Sequence, residues 1–147
     1  MTSLIENEAF ARVVQSIGPD IEASSATTVD LLFDEDLPVR LTLHPNGREV
    51  IVDAFVLDAT GLFGGVRNAV VRLLLQLNGL ALRGNPFAVG ITPAGLVAVT
   101  VRAALADLED GEVSDLIQYA SSQATELREV LAALMPADAP DVTLHTI

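Results

Sequence analysis

Apolar positions along the chain follow two periods. Phe10, Val13, Val14 and Ile17 stand at i, i+3, i+4 and i+7, which is one stripe of a helix. The spacing predicts that helix over 3–17. Ser3 with Glu6 three residues on suits its start, because each side chain then satisfies an orphan backbone N–H of the other. Gly18-Pro19 stops it. The period then drops to two. A strand is expected over 27–33, with Asp34-Glu35-Asp36 as the turn after it. In the next strand Val39, Leu41 and Leu43 alternate with Arg40, Thr42 and His44, as on a half-buried sheet surface. Pro45-Asn46-Gly47 marks a hairpin, since Asn-Gly tolerates the positive φ of primed turns. A third strand follows over 49–57, with Val50, Val52, Ala54 and Val56 uniformly apolar and Ile51, Asp53, Phe55 and Leu57 mixed.

Gly61, Gly64 and Gly65 break the pattern before a second helix over 66–78. Val66, Ala69, Val70, Leu73, Leu74 and Leu77 fill a wide arc of it, and Val71 and Leu75 make a second apolar patch. Asn68, Arg72 and Gln76 are its polar wedge. A helix apolar on two sides needs two covers, and in so short a chain the second cover is expected to be another subunit. Strands are expected over 87–91 and 96–101, joined by Thr92-Pro93-Ala94-Gly95 as a type I turn. The last helix is expected over 112–134, with Val113, Leu116, Ile117, Ala120, Ala124, Leu127, Leu131 and Leu134 on one face and Gln118, Ser121, Ser122, Thr125 and Glu129 on the other. The pattern therefore predicts an α+β fold in the order α-β-β-β-α-β-β-α, a twisted antiparallel five-stranded sheet packed with helices. Residues 1–135 form one domain, and Pro136 and Pro140 lead into a flexible, dispensable tail over 136–147.

Composition narrows the chemistry. Half of the 147 residues are hydrophobic but only 4% are aromatic, so the core is aliphatic. Cysteine is absent, which removes disulfides, thiolate metal sites and thiol nucleophiles. The net charge is −12, and all eight basic residues are arginine. Binding nucleic acid or anionic lipid needs basic groups to displace counterions, so neither is an expected partner. The charge fits either plain solubility or attraction to a basic partner. The acidic start lacks the positive region of a signal peptide, and no apolar run approaches the ~20 residues of a membrane helix. A cytoplasmic protein without membrane insertion is expected.

Without lysine there is no P-loop, and no Gly-x-Ser-x-Gly stretch offers a serine nucleophile. His44 reads as a hairpin residue and His145 as part of the tail. The acidic runs 34–36 and 107–112 lack the ligand spacing of calcium loops. No metal, cofactor or catalytic set is expected. What is left over is apolar: Leu4, Ile5, Ile51 and Phe55 lie off the regular core pattern and together suggest a binding surface.

The element order and three stretches resemble the class I type III secretion chaperones, the CesT-like family. Val71-Arg72-Leu73-Leu74-Leu75-Gln76-Leu77-Asn78 is similar to that family's middle helix, 87–99 to its following hairpin, and Ala104-Leu105-Ala106-Asp107-Leu108 with the helix to Leu134 to its C-terminal part. The resemblance implies a bacterial, cytoplasmic, non-enzymatic homodimer that holds the N-terminal segment of one or more secreted effectors in extended form, soluble and ready for export. Apolar pockets and strand addition at a sheet edge would do the holding. The candidate effector-binding residues are then Leu4, Ile5, Ile51 and Phe55, and the candidate dimer interface is Val71, Leu74, Leu75 and Asn78. The secretion ATPase is a further candidate partner; no cofactor is implied. Two alternatives stand beside this reading: a YbjN-like relative that binds proteins outside secretion, and a small enzyme using an unrecognised carboxylate site.

Overall fold

A computed structural model of the chain describes residues 4–18, 20–34, 36–81, 87–109 and 111–135. The first helix, α1, spans Glu8–Ile17 and is capped by Asn7, not by Ser3 and Glu6. Ser3 lies outside the described residues. The Asn7 Oδ1 accepts from the Phe10 N–H at 2.9 Å, while its Nδ2 donates to the Gly47 carbonyl at 3.1 Å. One side chain thus satisfies an orphan helix donor and ties the helix start to a hairpin forty residues away. The later start follows from Asn7 itself, a preferred cap residue one position before Glu8.

Five strands follow the predicted order: β1 Thr28–Phe33, β2 Leu37–Leu43, β3 Glu49–Asp58, β4 Ala88–Ile91 and β5 Leu96–Ala104. All pair antiparallel, in the spatial order β1-β2-β3-β5-β4. The β2–β3 hairpin closes with Gly47 N–H donating to the His44 carbonyl at 2.8 Å. Here the expectation of a primed Asn-Gly turn is corrected, because positive φ falls on Gly47 (70°) and not on Asn46. Pro45 has a fixed negative φ and occupies the position before Asn46, which an unprimed turn tolerates. The Thr92–Gly95 turn closes as expected, Gly95 N–H to Thr92 carbonyl at 2.8 Å.

Register stacks the apolar positions into rows. Val29, Leu41, Val52 and Val101 lie side by side across four strands, and Leu31, Val39, Ala54, Val99 and Val89 form the next row. Of these nine, Leu31 is half-buried and the other eight are buried. Each such side chain contributes roughly 1.5–3 kcal/mol of hydrophobic free energy, less for alanine. The pairing shifts between Phe55 and Leu57, so one extra residue enters β3 and the alternation ends. Phe55, Val56 and Leu57 are all buried.

The last helix, α3, spans Glu112–Ala132 and packs on β3 and β5, with α1 against it. It buries Val113, Ile117, Ala120, Ala124, Leu127 and Leu131, while Leu134 is exposed. Ser121, expected on the solvent side, is fully buried; its Oγ has no partner among the described residues. Ser121 follows Ala120, and both are small, so the helix can lie close to the sheet there. The middle helix, α2, spans Gly64–Ala81 and packs against β4. The predicted tail over 136–147 lies outside the described residues.

Candidate functional site

Three surfaces collect the groups that local packing does not use. The first surrounds α2 and β4. Val70 and Leu74 are buried under α2, so Leu74 belongs to the chain's own core, a correction to its assignment to a surface. Asn78 is likewise engaged within the chain, bonded to the backbone of Val89. Leu75, by contrast, is 68% exposed, and Val71 one turn earlier is half-buried. Val71 shares a small hollow of about 240 Å³ with Ile91 of β4, itself exposed. Phe63, just before the helix, is 82% exposed. Sequence reasoning missed Phe63, whose aromatic ring beside a glycine pair was the signal available.

The second surface is the sheet face opposite the valine rows. There Asp30, Arg40, Asp53 and Thr100 stand in register on four adjacent strands. Arg40 Nε donates to Asp30 Oδ1 at 2.7 Å and its Nη2 to Oδ2 at 3.1 Å, and Ser24 Oγ donates to the same Oδ2 at 3.0 Å. Thr100 Oγ1 donates to Asp53 Oδ1 at 2.5 Å. Burial raises the Asp53 pKa above the ordinary carboxylate value, against the Thr100 bond and the Arg40 charge. Burial also opposes ionisation of Asp30, but the bonds from Arg40 and Ser24 outweigh it and lower that pKa. Glu49 and Arg102 pair beside this row, and Arg102 and Asn46 hold Glu49 at about 2. The row is a saturated ion-pair and hydrogen-bond network, and it fills the strip between Ile51 and Phe55 with polar groups.

Of the four candidate effector-binding residues, the structure leaves one exposed, two half-buried and one in the core. Leu4 is 58% exposed ahead of α1, and Ile5 packs against the core, half-buried. Ile51 is half-buried beside Thr42 and Arg102 in the sheet. Phe55 is only 3% exposed, so it is core and not surface. Its cross-strand partner Ala98 is buried as well, so the sheet face that is half-open at Ile51 is covered at Phe55, which no local pattern announces.

The third surface is a groove of about 1020 Å³ between α1, the β2–β3 hairpin and the segment after β5. Its lining combines the apolar Ala9, Val13, Leu105 and Leu108 with the exposed Arg12 and Arg48. The Leu105 N–H donates to the Arg48 carbonyl at 2.8 Å, which fixes the hairpin against the 105–107 turn. Sequence reasoning missed this site because its parts come from three stretches far apart in the chain, around positions 12, 48 and 106. Among the described residues no helix is long and apolar enough to cross a membrane, and no group of three His, Cys, Asp or Glu could hold a metal.

No protein-family model matches the chain, and no curated protein does. Solved structures do. The chain is similar to a chain in the crystal structure of the ExsC-ExsE complex, at 20% identity and a TM-score of 0.70, covering 92% of this chain and 99% of that one. A chain of the HopA1-SchA chaperone-effector complex matches at 13% identity and a TM-score of 0.62, over 84% and 95%. One in the ExoU-SpcU complex from the type III secretion system of Pseudomonas aeruginosa matches at 18% identity and 0.55, over 84% and 95%. The element order, the sheet order and this end-to-end superposition together identify the fold of the chain as that of the type III secretion chaperones.

Proposed function

We propose that this chain is a cytoplasmic type III secretion chaperone that binds the N-terminal segment of one or more effector proteins in extended form and works as a homodimer. The observation that carries the reading is the near-complete superposition on chains solved in chaperone-effector complexes, 92% of this chain on 99% of the ExsC-ExsE chain. Exposed apolar side chains agree with it. Val71 and Ile91 share one hollow, Leu75 lies one helical turn beyond Val71, and exposed Phe63 precedes α2; a second copy placed along α2 and β4 would remove such groups from water. Leu4 and Ile51 remain candidates for effector contact, and Ile5 for a supporting role beneath Leu4. Leu74 and Asn78 would then support the dimer face from within, by positioning α2 on β4. Such a role requires no cofactor and no catalytic step.

The test is affinity capture from secretion-competent source cells, followed by co-expression of the captured partner's N-terminal segment with this chain. The segment should stay soluble and co-elute with the chaperone, yet aggregate alone. A partner that binds only through a folded domain, or a segment equally soluble by itself, refutes the proposal.

A further inference from the structure

We propose that the groove between α1 and the 105–108 segment selects an acidic-apolar stretch of the cargo, with Arg12 and Arg48 reading the carboxylates. The inference rests on the chaperone reading and adds to it the chemistry of what is bound. Its less exposed lining is apolar, from Ala9, Val13, Leu105 and Leu108, and suits leucine-like side chains. It also carries two guanidiniums in a molecule whose net charge is −12. Among the described residues neither guanidinium is ion-paired or hydrogen-bonded, as is also true of the exposed Arg67 and Arg72 of α2, whereas Arg40, Arg102 and Arg128 each hold a carboxylate. Both are exposed, so they remain hydrated and available. Glu109 is the one carboxylate lining the groove, which leaves the local balance at one positive charge.

Charge complementarity therefore fixes the occupant. A strongly acidic molecule repels an acidic peptide except where unpaired cations offer it bidentate partners, and Arg12 and Arg48 are the two that line one groove together. A basic segment would be drawn to the rest of the surface and pushed from this groove. The volume, about 1020 Å³, admits several side chains of an extended strand and exceeds what a small metabolite needs.

The probe is a labelled peptide in which leucine alternates with glutamate between serine flanks, compared with its glutamine counterpart by fluorescence anisotropy. At low salt the unaltered protein should bind the glutamate peptide about tenfold more tightly, as two exposed charge contacts allow. The preference should shrink at 0.5 M salt, where the Debye length is about 4 Å. The Arg12→Gln/Arg48→Gln double variant should lose the preference while keeping its affinity for the glutamine peptide. Ala106→Trp, a bulky group on an exposed position of the groove wall, should weaken both peptides alike. Equal binding of the two peptides by the unaltered protein, or a preference that survives the double variant, overturns the selectivity and leaves the chaperone reading standing. Failure of Ala106→Trp to weaken either peptide overturns the groove as the site.

Discussion

The side chain of Asn78 is bonded twice to the backbone of Val89. Its Nδ2 donates to the Val89 carbonyl at 2.6 Å, and its Oδ1 accepts from the Val89 N–H at 2.8 Å. Because β4 is the outer strand of the sheet, these are the groups that a further strand would use. The amide imitates a peptide unit and closes that edge with a helix, a standard defence against edge-to-edge pairing.

Replacing Asn78 with Ala should leave the two Val89 groups unpaired at a nearly buried position. The expected cost is about 2 kcal/mol, or a fall of roughly 5 °C in melting temperature. A scanning calorimetry trace unchanged within a degree would show that water replaces the amide fully.

Leu75→Asp and Leu74→Asp are neighbouring changes with opposite expected outcomes. Leu75 is exposed in the single chain, so its aspartate variant should fold but scatter light as one 15.5 kDa copy instead of two. Leu74→Asp places an unpaired charge in the core and should unfold the chain. A monodisperse monomer for the unaltered protein would remove the dimer from the proposal.

A similar contrast separates Ile51 from Phe55. Ile51→Asp should weaken effector binding with little change in stability, because the residue is only half-buried. Phe55→Ala should cost about 3–5 kcal/mol through the cavity it leaves. Binding isotherms and denaturant melts on the two variants separate the outcomes; an Ile51→Asp variant that binds normally excludes that residue from the site.

The two perturbed carboxylates of the sheet give opposite pH dependences. Glu49 is held at about 2 by the Arg102 and Asn46 bonds, so its contribution is present above its ordinary pKa and disappears as pH falls towards 2. Glu49→Gln should therefore be less stable than the unaltered chain at neutral pH and equal to it near pH 2. Asp53 is raised by burial, so the unfolded chain ionises first and stability falls as pH rises above the ordinary value of 3.8. Asp53→Asn keeps an acceptor for Thr100 and should gain on the unaltered chain over that range. Melting temperatures measured from pH 2 to 7 check both signs.

The sequence by itself determined the order of elements, the apolar faces of β2, β3 and α3, and the absence of thiol and P-loop chemistry. These depend on period, turn residues and composition, all of which act over a few neighbours. Only tertiary structure decided that the Asn7 amide, besides making its local cap bond to Phe10, also ties α1 to Gly47. It also covered Phe55, whose cross-strand partner Ala98 is buried with it, and it buried Ser121. The Arg12–Arg48 groove arose in the same way, from segments near positions 12, 48 and 105 that no local pattern relates. Periodicity reports which face of an element is apolar; what lies against that face, and what is left uncovered, is set by long-range contacts that a single stretch of chain does not encode.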